Sequence, residues 1–157
     1  MNNNFLLLLL FPLITLSQSM SDSIQVRRVQ RSLFIHLGGW AGAGIATGTW
    51  QTLSRRNTIT QYMGYQNLAW GGVNAAITVI GAISSRKQAK QMIDWSANKQ
   101  RLRRWLWINA GLDLGYMAVG TFLATRPDPR LKGTGYGVIL QGGGLFVLDA
   151  WHALRLR

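Results

Sequence analysis

Three polar side chains stand close together in an otherwise apolar stretch of the chain. Asn109, Asp113 and Tyr116 are spaced four and three residues apart, so a helix would place them on one face. Asn74 lies in the middle of a second apolar stretch, Tyr65–Ile83, which contains no charged residue. A buried carboxylate needs hydrogen bonds, a counter-charge or water. We therefore expect Asn74, Asn109 and Asp113 to form a buried polar cluster.

Other polar residues lie in the first and fourth apolar stretches. His36 is near the start of residues 33–53, while Gln141 and Asp149 are in residues 133–154. If successive helices alternate in direction, the start of the first and the end of the fourth share one end of the bundle, and His36 and Asp149 can meet. Such groups can relay protons or ions, or hold a small polar ligand. They can also simply fix helix register through hydrogen bonds. Both interpretations stay open.

Signatures of enzymes and of metal sites are missing from the sequence. The only histidines are His36 and His152, there are no cysteines, and no serine has a nucleophile-elbow context. We expect no catalytic residue, no bound metal and no cofactor. Two carboxylates in different helices do not by themselves form an acid–base pair.

The elements that must position these side chains are four apolar stretches of the length that crosses a bilayer. Each has about 19 to 22 residues, and aromatic residues cluster near the ends. No charged face runs along them, as it would along a soluble helix. Aspartate at mid-bilayer costs about 2.5–3.5 kcal/mol, so Asp113 should face protein or water. The sequence predicts an all-α, four-helix transmembrane bundle with spans at 33–53, 65–83, 105–123 and 133–154.

Glycine pairs spaced four residues apart are the expected packing faces of these helices. Without side chains, two backbones approach closely and gain contacts that lipid cannot replace. The predicted packing pairs are Gly38 and Gly42, Gly44 and Gly48, and Gly111 and Gly115. Residues 142–144 are three consecutive glycines in the middle of the fourth stretch, where they would also allow another backbone to approach closely.

The N-terminal region resembles a secretory leader. Phe5–Leu16 is too short to span a bilayer comfortably but fits the apolar region of a signal peptide, and Ser17 and Ser19 suit a cleavage site. This predicts a leader over residues 1–19 and a polar N-tail over residues 20–32. The first four residues carry no lysine or arginine, so an uncleaved anchor stays open.

The longest connection, Ser84–Arg104, is also the most basic. Its apolar residues Ala89, Met92, Ile93 and Ala97 recur at helical spacing among lysines and arginines. This pattern predicts a short amphipathic helix on anionic headgroups between spans two and three. An ordinary solvated helical linker is the alternative.

The formal net charge of +12 raises nucleic acid as a partner, but the basic residues directly flank apolar stretches, which is typical of membrane interfaces. We therefore expect a lipid bilayer and no nucleic acid. Seventeen lysines and arginines divide into 12 on the side of the termini and 5 on the other. The positive-inside rule then places both mature termini in the cytoplasm. A cleaved leader would demand the opposite, and orientation stays open.

A short internal similarity links spans two and three. Trp70–Ala75 and Trp105–Ala110 share the pattern of tryptophan, then asparagine four residues on, then alanine. Inverted repeats occur in transporters, although chance also produces similarities of this length among apolar helices.

The order of motifs resembles a family of small bacterial membrane proteins of unknown function, common among Bacteroidetes. The resemblance covers most of residues 33–149, and its most specific part is Asn109–Met117, with Leu37–Ala41, Trp70–Asn74 and Lys132–Gly142 beside it. It implies four spans behind a leader, a bacterial cell membrane, and weight on Asn74, Asn109, Asp113, Gln141 and Asp149. It implies no activity. This chain departs from the family in its longer, more basic second loop.

Together these features predict a multi-pass protein of the bacterial inner membrane that is not an enzyme. The leading hypothesis is a structural or partner-binding role in which polar residues lock helix packing. The alternative is a small proton- or ion-coupled transporter, or a subunit of one, using Asp113 and Asp149. Four spans are few for a transporter, so that alternative needs a homo-oligomer or a membrane-protein partner.

Overall fold

The computed structural model describes residues 3–54, 56–88, 90–91 and 94–156, and every regular element in them is an α-helix. The helices are α1 (Asn3–Ser54), α2 (Thr58–Gln88), α3 (Trp95–Ala124) and α4 (Pro129–Leu154). The all-α class and the four-helix bundle are thereby confirmed. Each of the four apolar stretches lies inside one helix.

An Asn or Asp residue precedes each of the helices α2, α3 and α4, and its side chain caps a free backbone N–H group at the start of the helix. Asn57 accepts a hydrogen bond from the Thr60 N–H at 2.8 Å, and Asp94 accepts one from the Ala97 N–H at 3.0 Å. Asp128 accepts from the Arg130 N–H at 2.8 Å, with Pro129 at the first helical position, where its missing N–H does no harm. α1 and α2 run antiparallel, since Gly48 lies against Gly64 while Gly38 lies against Thr78.

Two helical hairpins make up the bundle. α1 packs most extensively on α2, and α3 on α4, while α2 and α4 join the hairpins. Within the described ranges, α2 and α3 make no close backbone contact. Side chains such as Trp70 of α2 and Tyr116 of α3, with 5.2 Å between ring centroids, bridge the gap that remains between these two backbones.

Glycine permits the closest approaches, though not always at the predicted positions. A Cβ on Gly48 would lie 2.8 Å from the carbonyl oxygen of Gly64 in α2, and one on Gly120 would lie 2.9 Å from that of Gly135 in α4. Gly44 meets the Asn67 carbonyl oxygen at 3.2 Å in the same way. These distances leave no room for a side chain.

Gly42, Gly111 and Gly115 meet no other helix of this bundle, because a Cβ on any of them would have no atom of another helix within 4 Å. A Cβ on Gly38 would lie 3.3 Å from the Thr78 methyl group of α2, which is a tight contact. Spacing of four residues occurs on every face of a helix, so it could not separate the interfacial faces of α1 and α3 from the outward ones.

The polar N-tail of residues 20–32 is the middle of α1 and contributes to the core. Val26 is fully buried and Val29 is 2% exposed, and Asp22 forms a 3.0 Å ion pair with Lys99 of α3. The apolar cluster at this end of the bundle contains Val26, Val29, Leu33, Leu106, Ala153 and Leu156. The flanking arginines hid a buried stripe at positions 22, 26, 29 and 33.

The separate amphipathic helix predicted between spans two and three is wrong as a distinct element. Residues 84–88 are the last turn of α2, and residues 95–104 are the first turns of α3. Of its predicted apolar residues, Ala89, Met92 and Ile93 lie outside the described residues, and Ala97 is in α3. The charged segment lengthens two helices beyond their apolar parts.

Large apolar side chains cover much of the outer surface of the bundle. On α2 they include Val73, Ile77, Val79, Ile80 and Ile83, each about half exposed or more. Among the described residues, α2 and α4 are the two helices long and apolar enough to cross a membrane. The predicted first span, residues 33–53, is diluted by five glycines and three threonines.

Candidate functional site

A chain of hydrogen bonds between side chains crosses the bundle from α1 through α4 and α2 back to α1. Trp40 Nε1 donates to Gln141 Oε1, Gln141 Nε2 donates to Asn67 Oδ1, and Asn67 Nδ2 donates to Gln51 Oε1, each at 2.8 Å. Gln141 and Asn67 are each 1% exposed. We call these four residues the amide chain.

The direction of the amide chain follows from its first member. An indole N–H can only donate, so Gln141 must present its oxygen to Trp40 and its amide nitrogen to Asn67. Asn67 must then offer its oxygen to Gln141 and its nitrogen to Gln51. The orientation of all three amides is thus determined, and three helices are held in one register.

Two glycines make room for the amide chain. A Cβ on Gly44 would lie 3.5 Å from Gln141 Nε2 as well as against the Asn67 backbone. A Cβ on Gly144 would overlap the ring of Trp40. Larger residues at either position would displace members of the amide chain.

The second polar feature is a cavity of about 340 Å³ in the gap between the two hairpins. All four helices contribute to its wall, and we call it the four-helix cavity. Seven of its fifteen lining residues are Leu or Ile and four are aromatic. The polar ones are Asn74 of α2, Asn109 and Asp113 of α3, and Asp149 of α4.

Two buried polar atoms in this wall have no hydrogen-bond partner among the residues that the structure describes. They are Asp113 Oδ2 and Asn74 Nδ2, in side chains that are 5% and 2% exposed. Nearly all buried polar groups in proteins are hydrogen-bonded, so each exception calls for an explanation such as a ligand or an ion. The carboxyl group of Asp149 is half-buried and lines the same cavity as that of Asp113. The wall therefore offers one free acceptor, Asp113 Oδ2, and one free donor, Asn74 Nδ2.

The remaining predicted members of the polar cluster lie at the edge of the four-helix cavity. Asn109 is exposed, so the prediction that it is buried together with Asn74 and Asp113 is wrong. Tyr116 packs edge-on against Trp70 of α2 with 5.2 Å between ring centroids. The two segments with the shared tryptophan–asparagine pattern meet here. Trp70 and Asn74 line the cavity from α2, and Trp105 and Asn109 line it from α3.

His36 does not meet Asp149. These two residues form no ion pair within 4.0 Å, and the exposed His36 ring instead lies 5.3 Å from that of His152. His152 is fully buried, with Nδ1 2.7 Å from the Leu148 carbonyl oxygen and Nε2 3.4 Å from Ser32 Oγ. A carbonyl only accepts, so Nδ1 carries a proton.

The sequence-predicted polar residues therefore separate into three places. Asn74, Asn109, Asp113, Tyr116 and Asp149 line one cavity, Gln141 belongs to the amide chain, and His36 lies beside His152. Within the part of the chain that the structure describes, no three acidic or histidine side chains converge as metal ligands would.

The amide chain was missed in part, although the sequence carries a signal for it. Gly44 and Gln51 follow Trp40 by four and eleven residues, and this spacing places all three on one face of a helix. The opposing Asn67 is seven residues before Asn74, on the same face of α2. His152 was missed because a lone histidine carries no such pattern.

Comparison with known proteins gives a family but no activity. No curated protein and no solved structure matches the chain significantly. A family model does match, over residues 36–150, which includes the amide chain and most of the wall of the four-helix cavity. The chain therefore belongs to DUF6992, a family of unknown function.

Proposed function

We propose that this chain is a four-span, non-enzymatic protein of the bacterial inner membrane that binds a small cation in the four-helix cavity. The membrane part of the proposal is supported by the apolar outer surface. The apolar stretch of α2 is only 11% buried within the bundle, whereas the core helix of a water-soluble fold is mostly buried. Lipid would cover the side chains that the bundle leaves exposed.

The length of the helices supports the same proposal. The shortest, α4, has 26 residues, which is about 39 Å at about 1.5 Å per residue and exceeds a hydrocarbon core of about 30 Å. Basic residues gather at the end of the bundle that holds residues 20–32, the end of α2 and the start of α3. Under the positive-inside rule that end faces the cytoplasm.

The observation that carries cation binding is the unpaired carboxylate oxygen of Asp113 beside Asp149. No lysine, arginine or histidine is among the fifteen described residues that line the four-helix cavity. Two carboxylates at membrane depth without a protein counter-charge need protons, a metal ion or an organic cation. A cation-coupled transporter, or a subunit of one, is the activity that this wall would serve, with a second copy completing the pathway.

A structural or partner-binding role is the second candidate, and the amide chain favours it. Three directed hydrogen bonds that join three helices are sufficient to fix register without any ligand. The two candidates predict different consequences of neutralising Asp113, since packing does not require its charge.

Membrane topology is testable with single cysteines because the chain has none of its own. We expect Ser96→Cys, at the start of α3, and Thr58→Cys, at the start of α2, to react with an impermeant maleimide from opposite sides of the membrane. Ala76→Cys, exposed in the middle of α2, is the matched control and should stay unlabelled in intact membranes. Labelling of Ser96→Cys and Thr58→Cys from the same side, or rapid labelling of Ala76→Cys, would contradict four spans.

Cation binding is testable through thermal stability in nanodiscs. A ligand that binds only the folded state stabilises it by about 2.7 kcal/mol at one hundred times its Kd. We expect a monovalent cation, inorganic or organic, to raise the Tm of the wild-type protein at constant ionic strength, and Asp113→Asn to abolish the shift. Equal shifts in both proteins would leave the packing role as the better account.

A further inference from the structure

The four-helix cavity has aromatic walls from three different helices. Phe34 of α1, Trp70 of α2, and Trp105 and Tyr116 of α3 all line it. The faces of tryptophan, tyrosine and phenylalanine rings attract cations, most strongly organic cations that are weakly hydrated. Four aromatic rings and two carboxyl groups thus line the same cavity.

The size of the four-helix cavity indicates a molecule rather than a bare ion. A water molecule occupies about 30 Å³ of the liquid, so 340 Å³ far exceeds the space that an alkali-metal ion needs. It lies instead in the range of small-molecule pockets, about 300–1,000 Å³. The seven aliphatic side chains in the wall favour alkyl or aryl groups over a hydration shell.

The way into the cavity is lateral. α2 and α3 make no close backbone contact in the described ranges, and the lining residues Ile77 of α2 and Leu112 of α3 are each at least half exposed. Trp105, beside the same gap, is 58% exposed. With lipid around the bundle, these exposed parts of the cavity wall would face the bilayer.

We infer that the four-helix cavity binds a lipophilic organic monocation, a quaternary ammonium or protonated amine that carries alkyl or aryl groups and enters between α2 and α3. The positive centre lies between Asp113 and Asp149, and Trp70 and Trp105 cover its substituents. This inference rests on the proposed cation-binding function and names its ligand class.

Two probes of the same shape separate charge from hydrophobicity. Benzyltrimethylammonium carries a fixed positive charge, and neopentylbenzene replaces its nitrogen by carbon. We expect calorimetry on the full chain in nanodiscs to show at least tenfold tighter binding of the cation, after correction for partition into empty nanodiscs. Equal affinity for both would overturn the inference and would not depend on any variant folding.

Substitutions in the cavity wall test whether Asp113 and Trp70 contribute to binding of the cation. Asp113→Asn should weaken benzyltrimethylammonium at least tenfold, and Trp70→Leu should weaken it roughly tenfold through loss of a cation–π contact. Trp107→Leu, one of the α3 tryptophans but not part of the cavity wall, is the matched control and should bind as the wild type does. Unchanged affinity in a folded Trp70→Leu protein would overturn the aromatic wall.

Failure of this inference can be told from failure of the proposed function. If sodium, potassium or protons act through Asp113 while benzyltrimethylammonium does not bind, the organic-cation inference is wrong and cation binding stands. If no cation gives a response that Asp113→Asn removes, both are wrong.

Discussion

Breaking the amide chain at its centre should destabilise the bundle without altering the four-helix cavity. Gln141→Leu removes two hydrogen bonds of 2.8 Å and leaves Trp40 Nε1 and Asn67 Oδ1 without partners inside the protein. Interhelical hydrogen bonds in membranes contribute about 0.6 kcal/mol on average and up to about 1.7 kcal/mol. Two of them give an expected loss of about 1–3 kcal/mol in the free energy of unfolding.

A double-mutant cycle isolates one of these bonds. Trp40→Phe removes the indole donor and keeps an aromatic ring over Gly144, so it should cost about half as much as Gln141→Leu in the free energy of unfolding. We expect the two substitutions together to cost less than their sum by about 0.6 kcal/mol, because the shared bond is lost only once. Unfolding of the purified protein in mixed micelles by SDS measures each value.

The outcome that would refute this reasoning is additivity. If the losses in Trp40→Phe and Gln141→Leu simply add, no bond couples the two residues. If Gln141→Leu is as stable as the wild type, the amide chain does not hold the helices in register, and the structural role loses its support.

Two further predictions test packing with matched pairs on the same helix. Val26→Ala should lower the free energy of unfolding by about 1–3 kcal/mol because it removes two fully buried methyl groups. Ile24→Ala truncates an exposed side chain and should change the free energy of unfolding little. Equal losses in the two variants would mean that residues 20–32 do not pack as described. Gly120→Ala should lower the free energy of unfolding by about 1–3 kcal/mol because its methyl group would overlap α4, whereas Gly111→Ala should be neutral or stabilising. SDS unfolding measures both variants. A Gly120→Ala protein as stable as the wild type would contradict the close approach of α3 and α4.

The helical fold could be predicted from the sequence because it depends on features that act over a few neighbouring residues. Apolar stretches of sufficient length, capping residues such as Asp94 and Asp128, and the proline-containing turn before α4 all act over a few residues. The four predicted stretches accordingly fall within the four helices. The charged extensions of α2 and α3 were misjudged because helix continues past the point where hydrophobicity ends.

Helix faces were harder to predict, and the glycines show why. Gly111 and Gly115 have the same spacing as Gly44 and Gly48, but only the latter pair meets another helix closely. Which face is buried depends on how the hairpins pair, and that is a property of the whole bundle. The same limitation led to the pairing of His36 with Asp149, when its partner is His152, three residues further along α4.

The polar cluster in the second and third spans was predictable because burial of Asn74 and Asp113 follows from their position in apolar helices. The sequence did not predict that the polar residues of α4 belong to two different sites. Gln141 and Asp149 are eight residues apart on this helix, but Gln141 belongs to the amide chain and Asp149 lines the four-helix cavity. The cavity could not be foreseen either, because it depends on how far apart the described parts of the α2 and α3 backbones lie.

The most direct test of cation binding at Asp113 is the infrared absorption of its carboxyl group in nanodiscs, with Asp113→Asn used to assign the band. We predict that adding a monovalent cation, benzyltrimethylammonium first and sodium second, changes the assigned band in the wild-type protein. A band that stays the same with every cation and at every pH would contradict the account and leave Asp113 as a packing residue.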